Sequence, residues 1–312
     1  ICSNLNLQLV SLCLYYNNIL DWEGYFFQKT LDNKSRLFSG GRFGFSGFLP
    51  VSKIKPVHYY LNAIEKELKN QKIVSGSFAA NIFEELDSTL DNQNKWVTSA
   101  ITYFIAKTSN AVNDKGLILE NFKKNMRRNI RRNLRISREN SLSILLAKDQ
   151  IEIKEWYQNC HLRRIDELKG KHWDIKVIVS LVLEGSGKLI IAKNMSGEII
   201  GGCIVLCSDM MLEIFMLSTP QEYQKLGVNY LIIEFIYHMA YKNGNQLINW
   251  QASNPPNGEA ANYKMKWMAE PKKFNIFSIN DDTSLSIDYL EANFKDCFVY
   301  PFNELKKSNN PK

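Results

Sequence analysis

Two periodicities alternate along the second half of the chain: apolar residues return every three to four positions in some stretches and every second position in others. Phe122, Met126, Ile130 and Leu134 stand four apart and predict a helix over 121–140 with a narrow apolar seam. SLSILLA (141–147) reads as a strand, 150–167 as a helix containing Trp156 and Tyr157, and 174–184 as another helix. Three strands follow, KLIIAKN (188–194), EIIGGCIVLC (198–207) and MLEIFMLS (211–218), the first two joined by the turn signal MSGE. Val228, Leu231, Ile232, Phe235, Ile236 and Met239 predict a helix that opens near Gly227 and closes at Gly244. A strand (246–253), a Pro/Gly loop, the short segment YKMKWM and a last strand, FNIFSI, complete the half. This order predicts α/β layering, with a sheet that switches from antiparallel to parallel.

The first half is less regular. Short apolar runs between turn signals over 5–52 predict three or four antiparallel strands. Tyr60, Leu61, Ile64 and Leu68 predict a helix at about 57–70, and IVSGSFAANIF and WVTSAITYFIA read as two more strands. The polar stretch 107–118 is the best boundary signal, which divides the 312 residues into domains 1–115 and 116–312. The chain begins with Ile1 rather than Met, so the first domain is expected to be incomplete at its N-terminus.

Charge changes the picture at one place. Residues 121–140 hold two Lys and six Arg against one acid, Glu139, which is +7 and equals the formal net charge of the whole chain. Arg127, Arg131 and Arg135 form one row beside the apolar seam, and Arg128 and Arg132 another. A solvated helix face is the competing reading, but such faces normally mix signs, and this one does not. The guanidinium fork matches phosphate bidentately, so a phosphate-bearing partner is the expectation. Apolar content of 45% with 12% aromatics marks a packed globular protein. The longest apolar runs, near 199–207 and 231–240, are too short to cross a bilayer, and no signal-peptide layout opens the chain. Six scattered Cys and four dispersed His show no metal-ligand spacing, which predicts a cytoplasmic protein with free thiols and no metal.

Three segments carry a resemblance: the Arg-rich helix MRRNIRRNLRIS, the strand and Gly-initiated helix in LSTPQEYQKLGVNYLIIEFIYHMAYKNG, and the ending LINWQASNPPNGEAANYKMKWMAEP. In this order, over about 120–280, they resemble the GNAT acyltransferase superfamily. The closer likeness is to its branch of FemABX peptidoglycan-bridge aminoacyltransferases and CelD-like acetyltransferase domains. The resemblance implies an α/β (α+β) fold of two tandem GNAT-like domains, each a mixed, mostly antiparallel sheet flanked by helices. Residues 1–115 would be a degenerate copy and 116–312 the acyltransferase domain. It also implies transfer of an acyl or aminoacyl group to an amine acceptor, with acyl-CoA or aminoacyl-tRNA as co-substrate and no permanently bound cofactor. A nucleotide-linked precursor is among the acceptors it suggests. The chain departs from the branch at Gln224–Asn229, which keeps the Gln and first Gly of the phosphate-binding signature but not its final small residue. It departs again at Asn249-Trp250-Gln251, where the branch often has Asp.

Candidate residues follow. Backbone N–H groups at a helix start form an anion site, and Gly227 allows close approach, so Gln224, Leu226, Gly227, Val228 and Asn229 are expected to hold the donor phosphate. A plain helix N-terminus is the alternative. Glu213, mid-strand among Met211, Phe215 and Leu217, is a candidate base if burial raises its pKa, and an ion-paired Glu if not. By resemblance, Lys264, after the aromatic Tyr263, would neutralise a phosphate or the developing oxyanion. Arg128, Arg132, Arg163 and Arg164 are candidates for one phosphate cradle, with plain surface charge the alternative for Arg163 and Arg164; Trp250 and Trp267 read as core or cleft wall, and Tyr263 with them as a candidate for substrate contact. Two other functions compete: a nucleic-acid-binding module that grips phosphates with the Arg helix, and an inactive GNAT-like scaffold.

Overall fold

The computed structural model describes residues 8–16, 19–31, 34–39, 49–50, 57–79, 97–170, 172–185, 187–253 and 257–280. They fall into two units, 8–102 with 273–280, and 103–272. In the first unit β1 (Gln8–Tyr16), β2 (Ile19–Leu31) and β3 (Lys34–Ser39) form an antiparallel meander, with β4 (Leu49–Pro50) on β2. The helix α1 (Val57–Asn70) then crosses over, and β5 (Ile73–Ala79) pairs parallel to β3. Leu61, Ile64 and Leu68 give α1 its buried stripe, as their spacing predicts.

The second unit begins within β6 (Val97–Lys107) and continues through α2 (Thr108–Ala111), β7 (Val112–Asn113) and β8 (Gly116–Leu117) to α3 (Lys124–Glu139) and β9 (Ser143–Leu146). A long helical segment follows: α4 (Gln150–Trp156), a π-helical turn Tyr157–Leu162, and α5 (Arg163–Glu167). Next come α6 (Ile175–Leu183), β10 (Gly187–Lys193), β11 (Ile199–Cys207), β12 (Met211–Ser218), α7 (Gln221–Gln224) and α8 (Val228–Lys242). The described chain ends with β13 (Leu247–Ala252), α9 (Glu259–Lys266) and β14 (Glu270–Asn280), whose last residues pair antiparallel with β5 in the first unit.

Strands β9, β10, β11 and β12 are antiparallel neighbours, whereas β12 and β13 are parallel, so the expected switch in the sheet is present. β10 shows how the sheet is sandwiched. Leu189 and Ile191 join Ile153, Trp156, Ile178 and Leu181 on the α4 and α6 side, while Ile190 and Ala192 join Ile130, Val228, Ile232 and Ile236 on the α3 and α8 side. Strands buried on both faces read as continuous apolar runs, which is how β10 and β11 appear in the sequence. Asp149 starts α4 by accepting the N–H groups of Ile151 (2.9 Å) and Glu152 (3.0 Å), and Asp174 starts α6 by accepting that of Lys176 (2.7 Å).

The polar stretch 107–118 is folded as the end of β6, α2, β7 and β8. Thr108 N–H donates to Gln246 O at 2.9 Å, and α2, β7 and β8 all pack on α8. The YKMKWM segment is helical, as α9 and its C-terminal cap. Among the described residues Cys13, Cys160, Cys203 and Cys207 are free thiols, and no helix is long and apolar enough to cross a membrane.

Candidate active site

The 224–229 turn, where the donor phosphate is expected, is shaped by a neighbour rather than by its own sequence. Gly227 adopts φ +78°, and a Cβ there would lie 2.3 Å from the main-chain oxygen of Asn133 on α3. Only glycine meets both demands. Leu226 N–H donates to Tyr223 O (3.0 Å) and Gly227 N–H to Gln224 O (3.1 Å), so two of the expected anion-binding amides are committed within the turn. The first intrahelical bonds of α8 are made by Tyr230 and Leu231 to Gly227 O, which leaves the amides of Val228 and Asn229 at the helix start. Val228 is fully buried and Asn229 partly exposed, with its Oδ1 buried and unpartnered among the described residues. Gln224 turns inward, its Nε2 donating to Thr219 O at 3.2 Å.

One helical segment braces this turn from behind. His161, in the π-helical turn, places Nδ1 3.1 Å from Ser218 Oγ at the end of β12, and its ring stacks on Tyr157. Burial, with His172 nearby, pulls its pKa down to about 4, so the imidazole is neutral at ordinary pH. Arg163 pairs with Glu222 on α7 at 2.7 Å. Arg164 pairs with Glu167 at 2.8 Å, and that same carboxylate accepts the N–H of Gln221 at the head of α7. Both guanidinium groups are therefore matched by carboxylates.

The basic helix meets the turn with its other flank. Met126, Ile130 and Leu134 are buried as the seam predicts, and Asn133 lies against Gly227. Arg131 and Arg138 lie on the opposite flank, beside a separate cleft, and Arg128 and Arg132 are exposed on the outward face. At about 100° per residue, one helix cannot turn the Asn133 flank and the Arg131 flank to the same ligand. Of the four arginines expected in one cradle, Arg163 and Arg164 are engaged by Glu222 and Glu167, and Arg128 and Arg132 stand exposed on α3.

Chemistry concentrates where β12 and β13 separate. Their parallel register runs Met211↔Leu247, Leu212↔Ile248 and Glu213↔Asn249, and then stops. β13 bulges at Gln251, which has φ +60°, and its pairing with β6 resumes at Ala252↔Tyr103. The bulge turns the Gln251 side chain to Glu213: Nε2 donates to Oε1 at 2.8 Å, while Asn249 Nδ2 donates to Oε2 at 3.0 Å. Asn249 Oδ1 in turn accepts the Gln251 N–H at 2.8 Å. Burial raises the Glu213 pKa against the opposing pull of these two amides. Tyr103 is raised too, by burial and then by the Glu213 charge.

Lys264 holds the bulge. Its Nζ donates to Gln251 O (3.0 Å) and Ala252 O (2.8 Å) and lies 5.6 Å from the Phe104 ring centre. Burial lowers its pKa to about 8. The resemblance implied a direct contact with phosphate or oxyanion; here the ammonium gives two of its three donors to the main-chain carbonyls of Gln251 and Ala252. Trp250 and Trp267 are core, 4% and 0% exposed, stacked at 6.3 Å with Tyr237 beside them. Buried to that degree they form no substrate wall. Tyr263 meets Trp250 edge-on at 6.1 Å and anchors α9 beside the bulge. Asn249 and Gln251 entered the sequence reading only as departures from an expected Asp; their role as donors to Glu213 depends on a strand register that the sequence does not display.

No protein-family model matches the chain, and no curated protein matches it significantly in sequence. Solved structures do match. FemX superposes with a TM-score of 0.65 and 8% identity, over 88% of this chain and 89% of that one. L-PGS from Bacillus licheniformis gives 0.54 and 10%, over 90% and 88%. A tandem GNAT protein from the clavulanic acid biosynthesis pathway gives 0.50 and 11%, over 89% and 85%. At such identities the likeness is one of fold, and the fold of this chain is the GNAT-like fold found in FemX.

Proposed function

We propose that the chain transfers an acyl or aminoacyl group from a CoA- or tRNA-linked donor to an amine acceptor. The observation that carries this reading is Glu213, desolvated and held by Asn249 and Gln251 where β12 and β13 part. An amine reaches such a site as its ammonium form and must lose a proton before it can attack. A carboxylate of raised pKa takes that proton. The amine nitrogen then bonds to the donor carbonyl, and the tetrahedral intermediate collapses with loss of the donor's thiolate or ribose hydroxyl. Asn249 and Gln251 aim the carboxylate, and Lys264 fixes the bulge that brings Gln251 into place. The likeness to FemX and to a tandem GNAT protein supports the class at the level of fold.

The test is transfer from acetyl-CoA, a longer acyl-CoA and aminoacyl-tRNA to a panel of amines, with wild type and Glu213→Gln. Loss of a general base lowers the rate by about 10²–10⁴-fold. Because the base must be ionised, wild-type activity rises with pH through the raised Glu213 pKa, and the variant lacks that rise. Equal rates and equal pH profiles would remove Glu213 from the mechanism. A second reading, nucleic-acid binding by α3, draws on the exposed Arg128 and Arg132. It calls for RNA or DNA affinity that falls steeply with salt and is lost in Arg128→Ala/Arg132→Ala while transfer of a small acyl group persists.

A further inference from the structure

A cleft of about 820 Å³ opens on the flank of α3 that faces away from the 224–229 turn. It lies between α3 and α8 and is lined as well by the β7–β8 hairpin and by β9 and β10. Glu213 is on β12, with the whole of β11 between, so the cleft is separate from the transfer site.

Its floor and rim differ in character. Leu134, Ile144, Leu146, Leu231 and Phe235 make an apolar floor, with Leu146 39% exposed despite its size. The rim carries five cations, Lys115, Arg131, Arg138, Lys188 and Lys242, against one carboxylate, Glu234. Glu234 pairs with Arg138 at 3.6 Å, and Arg131 reaches Glu120 only at 3.9 Å. The remaining excess of positive charge surrounds a surface that water wets poorly.

Each half of that description restricts the occupant. An apolar body is needed to cover the floor, since exposed apolar patches of this kind mark binding surfaces. An anionic head is needed for the rim, and two guanidinium groups with three ammonium groups suit a phosphate monoester better than a single negative charge. The volume falls in the range of small-ligand sites, roughly 300–1,000 Å³, which suits one chain with a compact head. We propose that this cleft binds a single-chain lipid with a phosphate head.

Palmitoyl lysophosphatidic acid, kept below its micelle threshold, is the probe, read by calorimetric titration of the full chain. Glycerol 3-phosphate supplies the head without the chain, and palmitoyl lysophosphatidylcholine supplies the chain with a compensated head. The expected result is saturable, one-to-one binding of the lysophosphatidic acid, with each control weaker by about tenfold or more. Leu146→Asp, at an already exposed floor position, and Lys188→Glu, on the exposed rim, each weaken it by at least about tenfold while unfolding at the wild-type temperature. Absence of binding to the wild type overturns the proposal. So does equal binding of either control, or binding that both variants leave unchanged. Neither position touches Glu213, Lys264 or the 224–229 turn, so transfer activity is unaffected by both changes.

Discussion

Replacing Gly227 by Ala tests the claim that α3 shapes the 224–229 turn, and Gly244→Ala supplies the control. Both glycines have nearly the same left-handed backbone, φ +78° and +75°. An L-residue there costs about 1–2 kcal/mol. A Cβ at Gly244 meets nothing within 4 Å, so that strain is its whole cost. At Gly227 the Cβ would sit 2.3 Å from Asn133 O and 3.1 Å from its carbonyl carbon. Those are main-chain atoms of a helix and cannot rotate away, so α3 must move off α8 or the turn must distort. Overpacking of this kind adds about 1–3 kcal/mol. Gly227→Ala should therefore cost about 1–3 kcal/mol more than Gly244→Ala, a further fall of roughly 2–4 °C in melting temperature for each kcal/mol. Parallel urea and thermal unfolding of the two variants gives the difference directly. If Gly227→Ala proves no more costly than Gly244→Ala, the close approach of the two helices is wrong.

Lys264→Met gives a stability signature in alkali. The folded chain sheds the Lys264 proton near pH 8, whereas the unfolded chain keeps it to about 10.5, so the unfolded state binds more protons in between. Wild-type stability should rise relative to the variant between those two pH values, and a wild-type-minus-variant difference in urea midpoint that fails to increase from pH 7.5 to pH 10 would refute the burial. His161→Gln gives the acid counterpart. With a folded pKa of about 4 against 6.5 unfolded, His161 costs stability as pH falls through that window, so the wild type should lose more than the variant between pH 7 and 4.5 in urea melts. Trp267→Ala, at a fully buried ring, should cost about 3–5 kcal/mol by denaturant titration. A cost under about 1 kcal/mol would put that ring back at the surface.

Local pattern made most elements of the second unit legible. The seam Val228–Met239 and the runs at 188–194, 198–207 and 211–218 correspond to α8, β10, β11 and β12 within a residue or two of the expected limits. Each reports how one element buries its own face, and that is written in neighbouring residues. The site was legible only as separate residues. Glu213 and Lys264 stood out by type and position. Their partners depend on which residues face across β12 and β13, on a bulge at Gln251, and on a carbonyl pair thirteen and twelve residues from the lysine. The charge of α3 was plain, but not which flank meets the turn, because that follows from the contact of Asn133 with Gly227. Arg163 and Glu222 find each other across 59 residues, and no local pattern forecasts their neutralisation.

The π-helical turn Tyr157–Leu162 sets the rotational phase of everything after it. A π turn holds one residue more than the α ladder accommodates, so every residue beyond it sits about 100° behind the position an unbroken α ladder would give it. That offset lets a single segment send Trp156 into the core, His161 to Ser218 and Arg163 to Glu222. Deleting Gln158 or Asn159 would let an ordinary ladder form with α4 and α5 both keeping their faces. Forcing an ordinary ladder with all six residues kept would swing α5 out of step by about 100°, so the brace on the 224–229 turn would come undone with every one of its side chains still present.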